Sequence, residues 1–63
     1  MSANNYILIK KTKGGNFTMN ERDADTQAIN QHFGIYPTLH EAVEVANKYM
    51  ENEVIEYGID IQL

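Results

Sequence analysis

Residues 38–63 read TLHEAVEVANKYMENEVIEYGIDIQL, and the change of period inside this stretch decides the fold class. Thr38 and Glu41 form T-x-x-E, in which the threonine hydroxyl caps a free helix amide and the glutamate reaches back to the cap. Leu39, Ala42, Val43, Ala46, Tyr49 and Met50 follow at spacings of three and four, one apolar stripe of a helix running to about Asn52. After Val54 the period becomes two. Ile55, Tyr57, Ile59, Ile61 and Leu63 alternate with Glu56, Gly58, Asp60 and Gln62, the pattern of a strand with one buried and one wet face.

Upstream, Tyr6-Ile7-Leu8-Ile9 is apolar throughout and suits a central strand. Gly14-Gly15 and the alternating Asn16 to Asn20 predict a hairpin. A two-residue turn would set Lys10 beside Met19. A three-residue loop, Lys13-Gly14-Gly15, pairs Ile9 with Met19 and Lys11 with Phe17, so it is preferred, with Gly15 left-handed. Tyr6, Leu8, Lys10, Thr18 and Asn20 then share the opposite face. Between Asn20 and Pro37 the signal is thin. Thr26 to Phe33 reads as a short helix on the strength of Ile29 and Phe33 at i,i+4, ending at Gly34.

The expected architecture is α+β, a two-layer ββαβ sandwich over a single domain, 1–63. Its three-stranded antiparallel sheet has order 2-1-3, with one main helix on one face. The crossover through the helix should be right-handed. The helix would cover Ile7, Ile9, Phe17, Met19, Ile55, Tyr57, Ile59 and Ile61. Placing the last strand parallel to the second, at the other edge, ranks below this because it strands the most apolar segment at an edge.

A chain of 63 residues buries only about 60% of its unfolded surface, so its stability is modest. It has no cysteine, which removes disulfides, thiolate metal sites and cysteine nucleophiles, and favours a reducing compartment. Met1 to Asn5 lacks the basic and apolar blocks of a signal peptide, and no apolar run approaches a membrane span. A soluble cytoplasmic protein without membrane contact is expected. The net charge of −4 is unevenly laid out. Lys10, Lys11, Lys13 and Arg22 face only Glu21 in the first third. Lys48 stands alone against Asp23, Asp25, Glu41, Glu44, Glu51, Glu53, Glu56 and Asp60 in the rest.

Few residues point to chemistry. His40 and Glu44 lie at i,i+4, but a zinc site needs further donors, so a solvated pair is the plainer reading. Asp23-Ala24-Asp25 opens like a calcium loop, yet the sixth and twelfth positions hold Ala28 and Gly34, so turn formation explains it better. Neither a nucleophile elbow nor a cofactor fingerprint occurs, and the chain is read as noncatalytic, without cofactor or metal. The acidic residues Glu41, Glu44, Glu51, Glu53, Glu56 and Asp60 are candidates for engaging a protein partner's basic surface. Tyr6 and Leu8, facing away from the helix, are candidates for docking or homodimer formation on the uncovered sheet face. Lys10, Lys11, Lys13 and Arg22 offer the alternative of nucleic-acid contact, against which the acidic balance and narrow basic footprint weigh.

With Thr38, Leu39, Glu41, Ala42 and the Glu56-Tyr57-Gly58-Ile59 ending, the last third resembles small accessory proteins of phages and mobile elements. That resemblance implies a host-interaction role of the anti-restriction or anti-CRISPR kind. A tiny acidic protein would inhibit a larger nucleoprotein complex in the host cytoplasm. It carries no catalytic residues across.

Overall fold

The computed structural model describes residues 4–63; Met1, Ser2 and Ala3, part of the stretch weighed against a signal peptide, lie outside them. The chain runs β1 (Asn5–Lys11), β2 (Phe17–Asp23), β3 (Ile29–Tyr36), α1 (Leu39–Asn52) and β4 (Ile59–Gln62). The four strands form one mixed sheet of order β3-β2-β1-β4, antiparallel except for the parallel pair β1–β4. The architecture is α+β, one helix against one sheet.

Several expectations hold in detail. Ile9 pairs with Met19 and Lys11 with Phe17, and Gly15 sits at φ 87°, so the first hairpin turns through Lys13-Gly14-Gly15. Thr38 caps α1, its Oγ1 accepting the Glu41 N–H at 3.2 Å.

The three-stranded antiparallel sheet of order 2-1-3 is corrected to four strands, because residues 29–36 form a strand and the short helix over 26–33 does not exist. Adding one strand reverses the direction of everything after it. The last strand still lies beside the first, but it now runs parallel to it. The turn from β2 into β3 is built by Asp23, whose Oδ1 accepts the Asp25 and Thr26 N–H groups at 2.9 Å. Those two donors hold the Asp23 carboxyl below its usual pKa. Gln27 completes the reversal at φ 64°.

The last strand is also shorter than its alternation suggests. Residues 53–57 form a turn rather than strand, and Gly58 at φ 76° brings the chain into β4. Tyr57 therefore misses the helix-facing side and is 61% exposed. Ile61 keeps the register of Ile9 but remains 41% exposed, because α1 packs chiefly on β2 and β3.

The core lies between α1 and the middle of the sheet. Ile7, Ile9, Met19, Ala42 and Ala46 are fully or almost fully buried. Phe17, Phe33, Tyr36, Leu39, Val43, Val45, Tyr49, Met50, Ile55 and Ile59 pack around them. The two alanines, one turn apart, let the helix approach the sheet closely.

With so few fully buried side chains, each is a large share of the total. A domain of this length has a stability on the order of 3–9 kcal/mol, and truncating a buried isoleucine costs about 2–5 kcal/mol. Ile9→Ala is therefore expected to lower the urea midpoint by about a fifth or more, read by far-ultraviolet circular dichroism, whereas Ile35→Ala on the exposed edge leaves it nearly unchanged.

Candidate interaction surfaces

Strand register sorts the side chains onto two faces. Ile7 and Ile9 point to the helix, so Tyr6, Leu8 and Lys10 point away. Pairing carries that outer face across the sheet to Thr18, Asn20 and Arg22 on β2, then to Ile35, His32 and Ile29 on β3. In the other direction it reaches Asp60 and Gln62 on β4.

The centre of this outer face is closed. Leu8 is only 5% exposed and Asn20 only 7%. Asn20 Oδ1 accepts the Arg22 Nε–H at 2.9 Å, and the Arg22 guanidinium also reaches the Gln27 carbonyl at 3.4 Å. Tyr6 is half-buried. The accessible apolar surface lies instead at the margin, where Ile29 is 42% and Ile35 65% exposed along β3. Neither residue is distinguished as a surface candidate by sequence, because Ile29 reads as the buried face of a helix.

The acidic residues do not form one patch. Glu41, Glu44 and Glu51 are exposed along α1, and Glu53 and Glu56 follow in the turn after it. Asp60 is exposed on the opposite side of the sheet, beside Leu8. His40 Nε2 lies 2.7 Å from Glu44 Oε1, both side chains largely in solvent. Lys10, Lys11 and Lys13 are exposed at the tip of the first hairpin, while Arg22 is held by its two hydrogen bonds far along β2. The four cations thus present only three at one place.

One polar cluster is well organised. The buried Asn5 amide donates to Glu21 Oε2 at 2.8 Å and to the Val54 carbonyl at 3.2 Å. Its Oδ1 accepts the Glu56 N–H at 3.0 Å. The Tyr49 hydroxyl donates to Glu21 Oε1 at 2.8 Å, and its ring meets Phe33 edge-on at 4.7 Å between centroids. Both carboxylate oxygens of Glu21 are thus engaged in holding the post-helix turn and α1 to the sheet. The pattern is that of a clamp rather than of an acid or base waiting for a substrate. Its one signal in the sequence is a tyrosine on the apolar stripe, whose hydroxyl needs a partner when covered.

Among the described residues no cleft is enclosed, and no three His, Asp or Glu side chains converge as a metal site would require. No helix among them is long and apolar enough to cross a membrane. No family model matches the chain, nor does any curated protein or solved structure.

The clamp has a titration signature. The hydrogen bond to Glu21 raises the Tyr49 pKa from 10.0 to about 12, with partial burial and the nearby carboxylate charge adding to it. A raised phenol pKa means that the folded state holds the proton more tightly. The stabilisation is complete below pH 10.0 and is lost as pH rises towards about 12. Ultraviolet titration of the four tyrosines is expected to show a late ionisation that Tyr49→Phe removes, with a stability loss of about 0.5–1 kcal/mol near neutrality. Because Glu56 also raises Tyr57, the deciding result is the Tyr49 step: a titration that Tyr49→Phe leaves with its latest ionisation unchanged would show that the clamp does not form.

Proposed function

We propose that the chain is a noncatalytic protein-binding module that engages its partner through the acidic α1 surface and the apolar margin of β3. The observation that carries this reading is the pair Ile29 and Ile35, large side chains 42% and 65% exposed along an unpaired sheet edge. A lone exposed isoleucine is ordinary, but two on one open strand add apolar contact to free main-chain donors and acceptors. Glu41, Glu44 and Glu51 on α1 supply electrostatic steering towards a basic surface. The partner class we assign is a host nucleoprotein complex with a basic groove, which the chain would inhibit by occupancy. That partner class extends the expectation of an accessory-protein role drawn from residues 38–63.

The alternative, a regulator that binds nucleic acid through the hairpin, draws on Lys10, Lys11 and Lys13 at one tip. Arg22 adds little to it, being tied to Asn20 and Gln27. Charge reversal separates the two. The triple change Glu41→Lys, Glu44→Lys and Glu51→Lys, or Ile35→Asp alone, is expected to weaken capture of the native partner by about tenfold or more. Reversing Lys10, Lys11 and Lys13 to glutamate should leave capture intact. The opposite pattern, together with oligonucleotide binding by fluorescence anisotropy that falls steeply with salt, would transfer the function to the hairpin.

A further inference from the structure

We propose that β4 pairs with β4 of a second copy of this chain, antiparallel about a two-fold axis centred on Ile61, joining two sheets into one. This goes beyond the docking reading above and uses the other edge of the sheet.

The main chain sets the parity. Ile7 N–H donates to the Gly58 carbonyl at 2.9 Å, and Ile7 and Ile9 register with Ile59 and Ile61. In a parallel ladder of that register, the peptide groups of Gly58, Asp60 and Gln62 face β1. Those of Ile59, Ile61 and Leu63 point to the open edge. An incoming antiparallel strand must therefore bond at the odd-numbered residues. Of the symmetric registers that satisfy this, two overlap most of the four-residue strand, one centred on Asp60 and one on Ile61.

Charge and side-chain chemistry choose between them. Centring on Asp60 sets the two Asp60 carboxylates directly opposite, in the closer non-hydrogen-bonded kind of pair, where like charges are destabilising. Centring on Ile61 sets each Asp60 opposite a Gln62 amide. The same two side chains already meet within one chain, Gln62 Nε2 donating to Asp60 Oδ2 at 3.4 Å. The helix-facing side of this register stacks Ile61 on Ile61 and Ile59 on Leu63. These contacts would cover Ile61 and Leu63, which stand 41% and 82% exposed because α1 lies chiefly over β2 and β3.

The other edge is less suited to self-pairing. Opposite Met19/Asn20 and Glu21/Arg22 of β2, β3 carries the extra residues Phe33 and Asn30, which break its regular row of donors and acceptors. β4 is regular but short, four residues from Ile59 to Gln62. A strand edge of four residues is short for an interface, standard stable ones burying roughly 1,200 Å² or more, so the dimer is weak and concentration-dependent.

The chain contains no cysteine, which makes single-cysteine cross-linking clean. Under mild oxidation, Ile61→Cys is expected to form a covalent dimer at least tenfold faster than Asp60→Cys or the hairpin control Lys13→Cys. A hydrogen-bonded antiparallel pair sets its Cα atoms about 5.5 Å apart, within disulfide reach. In sedimentation equilibrium the unmodified full chain should show a dimer fraction that grows with concentration. Leu63→Lys, on a side chain that contributes little to the fold, should weaken it by tenfold or more, while Glu41→Lys leaves it unchanged. Equal cross-linking rates, faster linkage through Asp60→Cys, or a monomer at every concentration would overturn the proposal. None of these results bears on partner docking through β3 and α1.

Discussion

The close seating of Ala42 and Ala46 on Ile7, Ile9 and Met19 is the contact on which the other features depend. A helix carrying larger residues at those two positions would stand farther from the sheet, and a chain this short has no second layer to fill the gap. The alanines bring apolar surfaces together but contribute few atoms of their own. Tyr49 and Met50, one turn further on, add bulk at the margin, and Tyr49 ends on the Glu21 carboxylate that also holds Asn5. Apolar seating and polar clamp therefore hold α1 to the sheet from successive turns of the helix.

That seating also decides what remains outside. Because α1 packs chiefly on β2 and β3, β4 receives little cover, and its apolar side chains stay partly in water although they share the inner face. On the other face, Arg22 spans the Asn20 side chain and the Gln27 carbonyl, while Leu8 is buried among its neighbours. What the molecule offers to partners is thus at its margins: two strand edges, a run of acids on the helix and a lysine-bearing tip.

The helix and the first hairpin are legible, whereas the unbroken alternation from Ile55 to Leu63 overstates β4, which begins only at Ile59. The capped helix followed from Thr38 and its stripe, and the first hairpin's register from keeping Ile9 with Met19 and Lys11 with Phe17. β3 was not legible, and its irregular pairing explains why. Asn20 pairs with His32 and Met19 with Gly34, so Phe33 is an extra residue; Arg22 pairs with Ile29 and Glu21 with Gln31, so Asn30 is another. Each bulge shifts the parity, so the alternation of a regular strand is lost: Ile29 and Phe33, whose i,i+4 spacing reads as a helix face, lie one exposed on the outer face and one packed against the core. The turn before it hides as well, since its left-handed position is Gln27 instead of glycine or asparagine. The candidate surfaces follow the same pattern: the accessible apolar residues of the outer face, Ile29 and Ile35, lie on this irregular strand, and Asp60 is separated by the sheet from the helix acids that share its charge.

The pairing of β1 with β4 has a consequence for how the molecule is made. Asn5 and Glu56, which meet in the finished structure, are 51 residues apart in the chain. As a nascent polypeptide leaves the ribosome, the antiparallel hairpins can close early, yet one side of β1 stays vacant until residues 59–62 have emerged. During that interval the most apolar strand of the protein has no neighbour on one edge, and it is then that a chaperone or a stray strand could reach it.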